Sequence, residues 1–519
     1  MNHKETSPSA FPPAFPAGQI RPLRRREVKA ISVIERAEVA GRLNAGVRVT
    51  PQARFYAAAE LARRAGVPQD FFRSWNVSVS AERTVFEITN GTRKTVTFPH
   101  LSAEVMNELA AGKFHTARAD WMRQRPAASS TPDLVIPFAG PRPRNKPIFV
   151  GTGPDSVECS YDLALSTLLT LSRWEETLPG PRDVHGRFTA SQSVAARDNF
   201  LHRPIVDEYG LAFEQALQFL FPAWTPAERK LRVKVSHDAD HVGIPFRWKN
   251  TLRYVTHYGT PLCAGRDLLG WMSDVEPTDL RALREIVLLS AHCNLDPAVY
   301  WKGSPPGPRD SGYDPRHPKV RRLIQWLCER GVESGVHAGY RTFRSPERLR
   351  REVAVLREVL GDQPLGGRQH YLRWCPETWI HWENCGLTYD SSVGFADRIG
   401  FRAGTCIPYR PWLLALNRQA DLLEIPLLVM DRTLLESMKL TATEALAAVQ
   451  DCLGRCRAVG GVFTILWHNN NLLDRHHRSV FCEVLECCNE FQETLPPNVP
   501  SSALPSGDAA DRRPMSPIA

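Results

Sequence analysis

Leu231-Arg-Val-Lys-Val-Ser-His-Asp-Ala-Asp240 is an alternating, strand-like run that ends in two acids two residues apart. In an extended strand, residues i and i+2 project from one face, so Asp238 and Asp240 point together while His237 and Ala239 point away. Two carboxylates at one strand end can divide their labour. One holds a divalent cation through oxygen while the other stays free as a general base, the minimum equipment for metal-assisted hydrolysis. The same D-x-D spacing also occurs in capping turns and surface loops, so the pair gains meaning from what accompanies it.

Four other apolar runs end in polar groups able to join such chemistry. One finishes at His337 in Gly335-Val-His-Ala-Gly-Tyr340, an imidazole able to ligate a metal. Another ends in Arg368-Gln-His-Tyr371, which supplies a guanidinium, an imidazole and backbone N–H groups in one turn. A third places Arg402 in Gly400-Phe-Arg-Ala-Gly-Thr-Cys406, and the last runs Val462-Phe-Thr-Ile-Leu-Trp-His468 into Asn469-Asn-Asn471. A lone strand-end His is usually structural. Several at the same strand end as an acid pair are not what random placement gives.

These residues need strands to carry them, and from about 230 short apolar strands alternate with amphipathic helices, the signature of an α/β layer or barrel. Strands are predicted at 231–237, 285–290, 332–337, 365–371, 387–393, 399–404, 422–430 and 461–468. Ser345-Pro346 opens a helix whose Leu349, Val353, Leu356 and Leu360 form one stripe. Thr441-Ala-Thr-Glu444 is a capping-box candidate. Parallel α/β folds put their chemistry at the C-terminal strand ends, where the polar residues cluster in this chain.

The expected architecture is a distorted (β/α) barrel over 230–494, preceded by an α+β domain over 27–229. Pro/Ser-rich tails at 1–26 and 495–519 bury too little apolar surface to offset ordering entropy and are expected to be disordered. The stretch 123–132 reads as a loop or linker. In the first domain, Asp162 to Glu176 reads as a buried helix with a charged end. Arg187-Phe188 and Arg203-Pro-Ile-Val-Asp-Glu-Tyr209 offer either a docking surface or the salt bridges that position that helix.

With 519 residues there is ample core for an enzyme, and a net charge of +9 with Arg spread through predicted helices argues against a nucleic-acid groove. No apolar run approaches the roughly 18 to 20 residues that span a bilayer, and the start of the chain lacks a signal-like apolar stretch. The twelve cysteines are scattered through apolar segments without a C-x-x-C pair. Cys452 and Cys456, spaced i, i+4, read as buried thiols rather than a metal pair. A cytoplasmic location is expected.

The ordered set of D-x-D, H-x-G-Y, R-x-H-Y and L-W-H resembles the polysaccharide deacetylase family, carbohydrate esterase family 4. It is most similar to a bacterial branch whose catalytic domain follows an uncharacterised domain bearing L-S-R-W-E-E and R-P-I-V-x-E-Y. Gly366-Gly-Arg-Gln-His-Tyr-Leu372, Tyr389-Asp-Ser-Ser392, Gly400 to Cys406 and Leu466-Trp-His468 carry the resemblance, over about 155–475. It implies a divalent metal, usually zinc, and removal of an acetyl group from an N-acetylated sugar. Asp238 matches the family's base, Asp240 and His337 match metal ligands, and Arg368 would orient the base. The backbone N–H of Tyr371 would stabilise the oxyanion, and His468 would protonate the leaving amine. Tyr340, Arg402, Trp374 and Asn469 are the candidates for substrate binding.

Departures from the family pattern are as informative. Where a second metal-binding His is usual, four residues after the first, this chain has Arg341. His370 stands where the family has Pro in R-x-P-Y, and is expected to serve as the third ligand. Ala239 separates acids that are commonly adjacent. The leading function is therefore a metal-dependent N-deacetylase acting during assembly of a surface or exported polysaccharide, with polysaccharide-assembly proteins as partners. In the cytoplasm it would meet a lipid-linked or nucleotide-linked precursor. One alternative is a non-catalytic carbohydrate-binding or assembly protein on a degenerate barrel, with Trp374, Trp379 and Trp382 as stacking surfaces. The other is hydrolysis of a non-sugar amide. The N-terminal domain is expected to cover the barrel mouth.

Overall fold

A computed structural model of the chain describes residues 49–493, apart from 69–71, 73–74, 91, 123–132, 141–145, 247, 257–259 and 311. The expected tails 1–26 and 495–519 and the loop at 123–132 lie outside the described residues.

In the first half, three helices pack against one another: α1 (Pro51–Arg64), α2 (Leu163–Leu171) and α3 (Ile205–Leu220). Helix α2 is buried along its whole length, and its Ser166 and Thr170 hydroxyls donate to the carbonyls of Pro137 and Ser166. Asp162 caps it, and its carboxylate is also held by Arg54 of α1. A five-stranded sheet accompanies the helices, in the order 76–79, 83–90, 92–99, 156–159, 149–153. Its pairs are antiparallel except for the parallel pair formed by 92–99 and 156–159.

The second half builds eight parallel strands: β1 (Arg232–Asp238), β2 (Pro297–Trp301), β3 (Glu333–Ala338), β4 (Gly367–Gln369), β5 (Tyr389–Asp390), β6 (Leu423–Glu424), β7 (Val429–Met430) and β8 (Val462–Leu466). Their order is β6-β5-β4-β3-β2-β1-β8-β7. Consecutive residues of β2, β4 and β8 are all buried, the mark of strands covered on both faces. The edge strands β6 and β7 are joined by residues 425–428 alone, so the sheet curls into a half-barrel. That seam is bridged by Leu427 N–H to the Val393 carbonyl (3.2 Å) and Leu428 N–H to Thr464 Oγ1 (3.0 Å).

Helices alternate with these strands: α4 (Thr278–His292), α5 (Pro318–Glu329), α6 (Pro346–Leu360), α7 (Pro376–Asn384), α8 (Ala442–Val459) and α9 (Arg475–Glu493). The stripe Leu349, Val353, Leu356 and Leu360 is buried in α6, and Thr441 and Glu444 form a reciprocal capping box on α8. Cys452 and Cys456 are buried free thiols.

Three expectations need correction. Residues 285–290 lie inside α4 rather than in a strand, because Leu283, Ile286, Val287 and Ser290 bury one helical face. The strand of that unit is β2, which begins at Pro297. Residues 399–404 form a turn, with Gly400 and Gly404 at φ +130° and +63°. The run 422–430 is split by Pro426 into β6 and β7.

The two halves share one hydrophobic cluster that runs from Ala53 to Cys488. Backbone bonds also cross between them: Phe401 N–H donates to the Leu201 carbonyl (2.8 Å) and Val206 N–H to the Gly404 carbonyl (2.9 Å).

Candidate active site

Strand β1 brings Asp238 to its C-terminal end, and Asp240 follows after a tight turn in which Asp240 N–H donates to the Asp238 carbonyl (2.8 Å). Both carboxylates face His337 at the end of β3, at 3.5 Å from Nδ1 for Asp238 and 3.2 Å from Nε2 for Asp240. His237 lies on the other side of the strand, with Nδ1 2.9 Å from the Trp467 carbonyl, and burial pushes its imidazole down to about 4.

Beside β3, β4 must approach very closely. A Cβ on Gly367 would lie 1.9 Å from the Val336 carbonyl oxygen, and one on Gly366 would strike the Tyr389 ring. Two glycines therefore admit β4 to this position, and the chain then turns sharply at Tyr371 (φ +61°, ψ +13°). The turn leaves His370 facing the acids: its Nε2 lies 3.1 Å from Asp240 Oδ1 and its Nδ1 2.7 Å from Asp310 Oδ1.

Asp240, His337 and His370 each offer a ligand atom, and these atoms lie within 4.8 Å of one another. With bonds of roughly 2.0–2.2 Å, adjacent ligands of a tetrahedral zinc ion stand about 3.3 Å apart. The separations of 3.2 and 3.1 Å between the imidazole nitrogens and Asp240 Oδ1 fit such an ion. Each imidazole also has its other nitrogen engaged, His370 with Asp310 and His337 with the Arg368 carbonyl at 3.2 Å, which is how metal-binding histidines are oriented. Burial lowers the His337 pKa, against the opposing pull of Asp238 and Asp240.

Asp238 stands outside that triad. Arg368 Nη1 donates to it at 2.9 Å, and the same guanidinium is fixed by Ser236 Oγ (2.9 Å) and the Ser391 carbonyl (3.0 Å). Burial works to raise the Asp238 carboxyl, but the neighbouring His337 and Arg368 outweigh it and hold the group below the usual carboxylate range. At the end of β8, His468 Nδ1 lies 2.7 Å from Asp431 Oδ1, and its Nε2 points toward Asp240 Oδ2 at 3.7 Å. Burial opposes the charge on this imidazole, yet Asp431 raises its pKa overall.

Asp238, Asp240, His337, Arg368, His370, Tyr371 and His468 thus gather at one end of the sheet. Tyr340 is half-buried beside them, its ring 5.3 Å from that of Tyr371. Arg341 is exposed and takes no part. Three expected substrate contacts lie elsewhere. The Arg402 guanidinium is buried on Glu176 and the Gly394 carbonyl, Trp374 packs edge-on against Trp379, and Asn469 donates to the carbonyls of His241 and Asp279. All three are committed to the protein interior. Trp379 and Trp382 are fully buried as well.

Sequence reading missed Lys302, Asp310 and Asp431. Lys302 follows the unrecognised β2, and its Nζ lies 2.8 Å from Asp240 Oδ1. The N-terminal half also reaches the site: the His185 ring lies 4.8 Å from that of Tyr371, and Arg187 donates to the Tyr371 carbonyl at 2.9 Å. The L-S-R-W-E-E and R-P-I-V-D-E-Y segments supply Glu176 to Arg402 and Asp207 to Thr405 and Cys406, so they serve as buried junctions.

Residues 51–222 match the model of a family described as a family of unknown function (DUF7033). No curated protein matches the chain. Among solved structures it is similar to a candidate polysaccharide deacetylase from Mycobacterium smegmatis, at 16% identity and a TM-score of 0.35, over 51% of this chain and 86% of that one. It is also similar to a candidate polysaccharide deacetylase involved in O-antigen biosynthesis from Bordetella bronchiseptica, at 12% identity and a TM-score of 0.28, over 51% of this chain and 86% of that one.

Proposed function

We propose that the protein is a metal-dependent hydrolase that removes N-acetyl groups from sugar units of a polysaccharide or its precursor. One observation carries this reading: the Asp240, His337 and His370 ligand atoms converge within 4.8 Å, flanked by an arginine-held Asp238 and a carboxylate-held His468. A divalent cation in that cradle, with zinc best suited to two imidazoles and a carboxylate, would polarise the amide carbonyl and acidify the attacking water.

The chain's own groups supply the proton transfers. Asp238, kept ionised by Arg368, takes a proton from the attacking water. The Tyr371 N–H donates to the carbonyl oxygen as it gains negative charge. His468, whose pKa Asp431 raises, gives its proton to the sugar nitrogen as the C–N bond breaks, and acetate departs. Tyr340, Tyr371 and His185 form an aromatic rim on which a sugar ring can stack. A cytoplasmic location, which belongs to this reading, would make the substrate a lipid-linked or nucleotide-linked precursor and the partners proteins of polysaccharide assembly. Among the described residues no helix is long and apolar enough to cross a membrane.

Elemental analysis of the purified protein beside His370→Ala, together with acetate release from N-acetylhexosamine oligomers, tests the proposal. Near-stoichiometric zinc in the wild type, lost in the variant along with acetate release, is the expected result. The Lys302 ammonium on Asp240 favours a second reading, a carbohydrate-binding protein that uses no metal. Absence of metal from the wild type after incubation with excess cation, together with sugar binding but no acetate release, would decide for it.

A further inference from the structure

Lys302 occupies an unusual place for a lysine. Its side chain is 1% exposed, with Nζ 2.8 Å from Asp240 Oδ1, 3.2 Å from His370 Nε2, 3.4 Å from His370 Nδ1 and 3.8 Å from Asp310 Oδ1. The oxygen it holds is the one on which the Nε2 atoms of His337 and His370 converge. A divalent cation bound by that triad would compete with the ammonium for the lone pairs of Asp240 Oδ1. The two positive charges would also stand a few ångströms apart in a buried site, where repulsion is poorly screened.

A second acceptor is close. Asp310 Oδ1 lies one ångström farther from Nζ than Asp240 Oδ1 does, and it belongs to a carboxylate already fixed by the Tyr340 N–H (3.1 Å) and by His370. The backbone of Lys302 is anchored, its N–H donating to the Tyr313 hydroxyl at 3.0 Å. Only the flexible four-carbon stem need move for the ammonium to change partner.

We propose, building on the metal-site reading above, that Lys302 is a resident cation that neutralises Asp240 until a divalent ion displaces it onto Asp310. The lysine then sets the affinity of the site. Ions that bind imidazole strongly, such as zinc, overcome the displacement, whereas oxygen-preferring ions such as magnesium and calcium do not.

The test is zinc affinity of the full-length protein, stripped by chelator dialysis and titrated against a chromogenic chelator, for wild type, Lys302→Met and Lys302→Arg. Lys302→Met should bind zinc at least about tenfold tighter than wild type, while Lys302→Arg, which keeps the charge, should bind no tighter. Without zinc, Lys302→Met should melt at a lower temperature than wild type, and zinc should reverse the difference. Should Lys302→Met fail to fold, Lys302→Gln takes its place. Equal or weaker zinc binding by the neutral variants, with one zinc still bound by wild type, would overturn the lysine proposal and leave the metal site standing. Zinc binding by none of the proteins would remove the metal site and this inference together.

Discussion

Asp431 receives His468 twice, from the ring at Nδ1 and from the backbone N–H, both at 2.7 Å. The double contact fixes the ring's direction and its charge together. Asn471 Nδ2 donates to the same carboxylate at 2.7 Å, so Asp431 is itself held in place.

Asp431→Asn should therefore lower the His468 pKa, since the charge that raises it is gone. A general acid is lost as pH rises through its pKa, so the alkaline limb of the kcat/KM profile should move to lower pH in the variant. Near neutral pH the rate should fall by about 10²-fold or more. A uniform drop with the limb unmoved would assign Asp431 to ring placement alone.

Glu176 and Arg402 form a fully buried ion pair across the two halves of the chain, at 2.5 Å, with Arg173 also on Glu176. Glu176→Ala should cost about 3–5 kcal/mol in urea unfolding, because a buried guanidinium is left unpaired. Glu176→Met combined with Arg402→Met should recover much of that loss. A cost below about 1 kcal/mol for the single variant would mean that water reaches the junction.

Glu352 lies just beyond the end of β3, its Oε2 accepting the Gly339 N–H at 2.8 Å. Burial raises its carboxyl from 4.5 to about 7. A folded-state value above the unfolded one means that the contribution to stability is full below about 4.5 and lost as pH rises to about 7. Across that window the wild type should lose up to about 3 kcal/mol relative to Glu352→Gln, measured as the difference between their unfolding free energies. Parallel pH dependences of the two proteins would show that the carboxyl is hydrated.

A fragment spanning 226–495 should be insoluble or bind hydrophobic dye strongly, because the cluster from Ala53 to Cys488 would be cut open. Sedimentation and dye binding measure this directly. A soluble fragment that still releases acetate would show that the first half is dispensable.

How much of this was legible in the sequence depended on whether a residue's signal was local. Asp238, Asp240, His337, His370 and His468 each end an apolar run, and the fold gathers those ends. Asp431 follows Val429-Met430 in the same way and could have been found by the same rule. Lys302 was hidden because the apolar face of α4 attracted the strand assignment that belonged to Pro297–Trp301. Asp310 lies in a Pro/Gly-rich loop without periodicity. Arg402 could not have been read correctly, since its partner Glu176 is distant in the chain and a buried Arg beside aromatics looks like a substrate contact until that partner is seen.

The seam between β6 and β7 has a consequence for how the protein comes off the ribosome. The 399–404 turn, whose Gly400 N–H donates to the Leu428 carbonyl (3.1 Å) beside that seam, is fastened to Leu201 and, through Arg402, to Glu176, which lies 226 residues upstream. Synthesis from the N-terminus delivers the fastener before the parts it must hold, so the barrel closes onto a waiting clasp. A circular permutant beginning at residue 230 would reverse that order and leave the 399–404 turn unfastened until about the last tenth of translation.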